Sequence, residues 1–185
     1  MNPKSILLNV TGLTPQVVTE TLYALHQQGQ TLPSRIHILT TAEGYQRARL
    51  TLINDGWLAR FYHDYHLPLP EFSERHIHIL QQANGEPLAD IRTQADNQAM
   101  ADGITEWIRT LTADPDTSLH VSIAGGRKTM GFYAGYALSL YGRSQDRLSH
   151  VLVSPATLPS TGNRREIPLS ETKWILVLSK PIVCI

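Results

Sequence analysis

Cysteine is nearly absent from this chain. Cys184 stands alone among 185 residues, so no internal disulfide can form, as expected of a protein kept in a reducing compartment. A charge excess of either sign is also missing, since 16 Lys and Arg face 16 Asp and Glu. That balance argues against a polyanion binder with a broad basic face and against DNA as a partner; any nucleic-acid ligand should be small and held in a pocket. No apolar run approaches the roughly 20 residues of a spanning helix, and no basic leader opens the chain. The expectation is a cytoplasmic protein without a membrane partner. The phosphate-loop pattern Gly-x-x-x-x-Gly-Lys-Ser/Thr and the dinucleotide pattern Gly-x-Gly-x-x-Gly are both lacking, which disfavours ATP hydrolysis and dinucleotide cofactors.

What remains suits one compact domain: 42% of the residues are hydrophobic, with no compositional break between halves. Strand-like and helix-like segments alternate. Ser5–Val10 reads as a strand, and Pro15–Gln28 as a helix with Thr14 as its N-cap. Arg35–Thr40 is a second strand, Ala42 to about Trp57 a second helix, and His76–Gln81 a third strand. Thr93 to about Leu111 carries Ala95, Met100, Ile104, Trp107, Ile108 and Leu111 on one helical face. Ser118–Ile123, Lys128–Tyr141 and His150–Ser154 continue the order as strand, helix and strand. The fold class is therefore α/β, a Rossmann-like and mainly parallel sheet with helices on both faces. Residues 1–155 would form that ligand-binding domain. Residues 156–185 would extend it, as a loop rich in Pro, Ser, Thr, Gly and Asn followed by an apolar strand at Trp174–Leu178.

Two strand-to-helix junctions carry the chemistry. The first is Asn9-Val10-Thr11-Gly12-Leu13-Thr14-Pro15-Gln16 and the second Ser122-Ile123-Ala124-Gly125-Gly126-Arg127-Lys128-Thr129. At such junctions glycine lets the backbone approach a ligand, while the helix N-terminus offers unpaired N–H groups and the positive end of its dipole. Thr11, Gly12, Thr14 and Gln16 suit ribose, phosphate or base edges. Ala124, Gly125, Gly126 and Thr129 frame Arg127, a forked donor, and Lys128, a compact cation. In a doubly wound sheet both junctions reach the same edge, so one pocket can use both.

With these residues the chain resembles the CARF domain, the CRISPR-associated Rossmann-like sensor of type III systems. The likeness rests on Thr11-Gly-Leu-Thr-Pro-Gln-Val-Val-Thr-Glu-Thr-Leu-Tyr and Ser122-Ile-Ala-Gly-Gly-Arg-Lys-Thr-Met, and spans most of residues 4–155. The resemblance implies a homodimer whose two-fold cleft binds a cyclic oligoadenylate, with the tetra-adenylate as the favoured ring. Residues 155–185 are too few for a second catalytic domain and lack the Arg-x-x-x-x-His motif of the ribonuclease branch. The likeness is thus to a free-standing member that either degrades the messenger, as ring nucleases do, or passes its signal to an effector protein; the sensor portion of a longer effector is the third reading.

Ring cleavage by the ribose 2′-oxygen needs positioning and charge stabilisation, with no cofactor or metal. The matching positions imply Lys128 and Arg127 as charge stabilisers and Thr11 as the orienting hydroxyl, assisted by Thr14. Thr11 stands where some family members have Ser. His63, His66, His76 and His78 gather in one region without a completing Cys or carboxylate, and read as surface or packing residues. Tyr133, Tyr136 and Tyr141 read as core or dimer interface, with adenine stacking as the other role. Arg164, Arg165 and Glu166 sit in the polar C-terminal stretch, where a loop can close over a ligand.

Overall fold

The computed structural model describes residues 4–153 and 174–179. One six-stranded sheet has the order β3-β2-β1-β4-β5-β6. Its strands are β1 (Lys4–Val10), β2 (Arg35–Thr40), β3 (Ile77–Ile79), β4 (Thr117–Ser122), β5 (Arg147–Val153) and β6 (Trp174–Ser179). The first five are parallel, and β6 runs antiparallel to β5. This is the doubly wound, Rossmann-like arrangement, with the strand order reversing between β1 and β4.

Both faces of β1 are covered, which is why it reads as a nearly continuous apolar run. Ile6, Leu8 and Val10 pack on one side with Met100, Ile104 and Ile108 of α4 (Gln94–Leu111) and Met130, Ala134 and Leu138 of α5 (Lys128–Tyr141). Leu7 points the other way, into a core built with Val18 and Leu22 of α1 (Val17–Gln27), Ala48 of α2 (Ala42–Ala48) and Phe61 and Tyr62 of α3 (Trp57–Asp64). Each fully buried leucine or isoleucine here is worth roughly 1.5–3 kcal/mol. α4 starts where its sequence says: the Thr93 hydroxyl accepts from the Asp96 N–H at 3.1 Å, and the Asp96 carboxylate accepts from the Thr93 N–H at 2.9 Å.

Four expectations need correction. The simplest concerns β5, which begins at Arg147, three residues before its expected start. The Ala42–Trp57 helix is broken: after α2 the chain passes through a π-helical stretch, Arg49–Asn54, and Gly56 then takes a left-handed conformation (φ 72°) that separates it from α3. α1 begins at Val17 rather than Pro15, and Thr14 is not its cap. The Thr14 carbonyl accepts from the Val17 N–H at 3.3 Å, so Thr14–Gln16 form a turn before the helix. β3 stops at Ile79: the Leu80 N–H makes the last bond to β2, at the Thr40 carbonyl, and Gln81 then pairs with Pro87 in the loop that follows. The second domain boundary and the lid at Arg164–Glu166, like Cys184, lie outside the described residues.

His76 and His78 are packing groups, and they meet a third ring that the sequence reading left out. His37 Nδ1 lies 2.9 Å from His78 Nε2, and the His78 ring sits 4.0 Å from that of Trp107. Burial first, then the neighbouring histidines, lowers both His37 and His78 from 6.5 to about 4. The unfolded chain therefore binds more protons between those two values. Stability should be full above pH 6.5 and decline as pH falls towards 4, by about 1 kcal/mol per histidine after allowance for their partial exposure. Urea midpoints at pH 7.5 and 4.5 check this. A Leu replacement at His78 should flatten the dependence, and an unchanged slope would assign it to other groups.

Candidate functional site

The C-terminal edge of the sheet is polar inside as well as outside. Asn9, Thr11, Thr40, Thr41 and Ser122 are all buried at the ends of β1, β2 and β4, whereas the preceding strand positions are largely apolar. Polar burial costs stability wherever partners are imperfect. Here the Asn9 amide and the Thr40 hydroxyl have none among the described residues. Ser122 is tied to α1 by a 3.0 Å hydrogen bond between its hydroxyl and that of Thr21.

Above this layer the two junctions touch through glycine. A Cβ placed on Gly12 would lie 3.5 Å from the Gly126 Cα, and one on Gly126 would lie 3.4 Å from the Gly12 nitrogen and 2.9 Å from Met130 Sδ. Gly126 also takes φ 83°, a conformation that excludes most side chains. The neighbouring Gly125 sits directly over Thr11, whose Oγ1 would be only 2.5 Å from an added Cβ. The close approach of β1 and β4 loops at the strand-order reversal thus depends on absent side chains.

The resulting cleft holds about 270 Å³ and is lined by Gly12, Leu13, Thr14, Thr41, Asp90, Ile91, Gly126, Arg127 and Met130. That volume lies near the lower end of small-molecule pockets, about 300–1,000 Å³. Its floor is backbone and apolar side chain; its polar wall is Thr14, Thr41, Asp90 and Arg127. One Arg127 Nη donates to both Asp90 carboxylate oxygens, at 2.9 and 2.8 Å. The Arg127 guanidinium, followed by the Ile91 backbone N–H and Arg92, holds the Asp90 carboxyl down at about 2. Arg92 adds a contact to Asp90 at 3.2 Å and one to Glu43 at 3.7 Å.

Of the residues expected from sequence, Gly12, Thr14, Gly126 and Arg127 come together in this lining. Lys128 and Thr129 open α5 at its rim, both exposed, and Lys128 has no ion-pair partner among the described residues. Gly125 lies behind the lining as a spacer over Thr11. Thr11 itself is fully buried and its hydroxyl donates to the Thr14 carbonyl at 3.3 Å, so it shapes the loop instead of facing the cleft. Ala124 packs against Ala24, Leu25 and Val151 on the α1 side. Gln16 is exposed outside the cleft, where its carbonyl receives the Thr19 hydroxyl. Sequence reasoning missed Asp90, Ile91 and Thr41. Thr41 was detectable as the residue that follows the second strand, β2, and as the N-cap of α2, accepting from the Gly44 N–H at 3.3 Å. Asp90 lies in the β3–α4 connection and carries no local signature.

The family model of CRISPR-associated protein NE0113 matches residues 14–183. The chain belongs to that family. The match takes in the Gly125–Lys128 junction, Asp90 and Thr41, and so covers three of the four segments that build the cleft. A role in CRISPR systems follows from this membership. Among curated proteins none matches the chain. Among the described residues no helix is long and apolar enough to cross a membrane.

Proposed function

We propose that this CRISPR-associated protein is a CARF-type sensor that binds a cyclic oligoadenylate, the tetra-adenylate in particular, between two copies of the chain, and cleaves it. The observation that carries the reading is the glycine-on-glycine contact of Gly12 and Gly126 at the strand-order reversal, topped by Arg127 and Lys128. Backbone N–H groups, a helix N-terminus and two cations converge there on a space suited to a sugar-phosphate. The cleft is small for a whole ring, which favours a site shared by two protomers across a two-fold axis. α5 supports this sharing: Phe132, Tyr136 and Leu140 recur every four residues along it, exposed at 66, 56 and 56%, and the Phe132 and Tyr136 rings stack at 6.3 Å. Tyr136 and Tyr141 are accordingly not core of the protomer; Tyr133 is partly buried, its hydroxyl accepting from Asn97 at 3.3 Å.

In cleavage the 2′-hydroxyl gives up its proton as its oxygen bonds to the adjacent phosphorus, the P–O5′ bond breaks, and the departing 5′-oxygen takes up a proton in exchange. The products carry a 2′,3′-cyclic phosphate and a 5′-hydroxyl. Lys128 stabilises charge on the phosphorane, Arg127 holds a non-bridging oxygen, and Thr11 keeps the first loop in shape through Thr14. The burial of Thr11 favours a second reading, a sensor that binds the ring without cutting it and acts through an effector protein. Incubation with cyclic tri-, tetra- and hexa-adenylate in EDTA separates the two. Metal-independent cleavage should give 2′,3′-cyclic phosphate ends, and a 2′-deoxy ring should bind but stay whole. A bound yet intact natural ring would establish the sensor, and failure to bind any ring would end both readings.

A further inference from the structure

We infer that Asp90 is a specificity-determining residue, which admits phosphodiesters to the cleft and rejects terminal phosphomonoesters. This rests on the reading above only in that the cleft takes nucleotide phosphates. Around the opening stand three cations, Arg92, Arg127 and Lys128, and two carboxylates, Glu43 and Asp90. Asp90 is engaged by Arg127 and Arg92, and Glu43 by Arg92, which leaves Lys128 as the uncompensated charge of this group among the described residues. With the roughly half charge of the α5 N-terminus this offsets one negative charge in full and falls short of two. A phosphodiester carries one. A phosphomonoester carries about 1.5 to 2 at pH 7, its second ionisation falling near pH 6.

The excess charge of a monoester would meet the Asp90 side chain, which lines the cleft and is 21% exposed. It cannot shed its charge to accommodate the ligand, since Arg127 and the Ile91 N–H keep it ionised far below neutrality. A fixed like charge beside a binding site is a built-in penalty against the wrong ligand. Arg127 still reaches the right one: its contact with Asp90 uses a single Nη, at 2.9 and 2.8 Å to the two oxygens, and its other nitrogens make no bond among the described residues. The same carboxylate therefore orients the arginine and limits the charge it receives.

The test compares adenylyl-(3′→5′)-adenosine, the same dinucleotide bearing a 5′-phosphate, and cyclic tetra-adenylate, by calorimetry on the wild type and Asp90→Asn. At pH 7.5 the wild type should bind the unphosphorylated dinucleotide at least tenfold more tightly than its 5′-phosphorylated form. Asp90→Asn should remove most of that preference by gaining affinity for the monoester. In the wild type the preference should also shrink at pH 5.5, where the monoester has lost much of its second charge while Asp90 stays ionised. A role confined to orienting Arg127 predicts instead that Asp90→Asn weakens all three ligands alike, and that result overturns the inference, as does an equal preference in both proteins. Discrimination between the dinucleotides without binding of the ring would uphold Asp90 and defeat the ring reading. Ring binding with an unaltered preference in Asp90→Asn would do the reverse. No binding of any of the three would overturn both.

Discussion

Lys128→Ala should bind cyclic tetra-adenylate at least tenfold more weakly than the wild type, a loss of about 1.4 kcal/mol or more, with little change in melting temperature. The side chain begins α5 at the rim of the cleft, is exposed, and has no ion-pair partner among the described residues. Its removal should therefore leave the fold within about 0.5 kcal/mol of the wild type, as for exposed positions generally. The same lack of a partner makes it the cation most available to a phosphate, whereas Arg127 already donates to Asp90. Arg127→Ala should accordingly cost less than Lys128→Ala, because part of its charge is spent within the protein. Titrations at two salt concentrations add a second check: the variant should show a shallower dependence of affinity on salt, since one phosphate contact fewer displaces fewer counterions. Equal affinities for wild type and Lys128→Ala would remove this junction from the binding site.

Much of this architecture was legible because the relevant signals are local. α5 and β2 occur over the residues their patterns predict, Lys128–Tyr141 and Arg35–Thr40, since each is an apolar segment closed by a turn or a junction. The parallel sheet follows from repeated strand–helix order and from strands such as β1, apolar on both faces. The two junctions were visible as glycine beside hydroxyls or cations. What could not be read is what depends on distance in the chain. Asp90 reaches Arg127 across 37 positions, and His37 reaches His78 across 41. The inward turn of Thr11 was equally hidden, because a threonine after a strand looks the same whether its hydroxyl faces a ligand or caps its own loop. Its full burial, its bond to the Thr14 carbonyl and the seat of Gly125 upon it give the direction. The break between α2 and α3 was missed for a different reason: apolar spacing continues through Arg49–Asn54, and the left-handed Gly56 interrupts the chain without interrupting the pattern.

Gly125→Ala should destabilise the protein by about 1–3 kcal/mol, the usual range for forcing a methyl group into filled space, and should weaken ring binding more than an exposed mutation of equal thermodynamic cost. Its new Cβ would lie 2.5 Å from Thr11 Oγ1, 3.1 Å from Thr11 Cβ and 2.9 Å from Val17 Cγ2, so the β4 loop must lift away from the β1 loop. That movement separates Gly126 from Gly12, the contact on which the cleft is built. The clash has a removable part. Thr11→Ala vacates the nearest atom, at the cost of the hydrogen bond from its hydroxyl to the Thr14 carbonyl, about 0.5–1.5 kcal/mol by itself. In the double variant the two costs should therefore not add: relief of the 2.5 Å contact should recover part of the Gly125→Ala loss, leaving the residual strain against Val17. Urea denaturation of the two single variants and the double variant measures the coupling directly, and titration with the ring shows whether binding returns with stability. Strict additivity would mean that Gly125 and Thr11 are not in contact, and the packing of the second junction upon the first would have to be abandoned as the basis of the site.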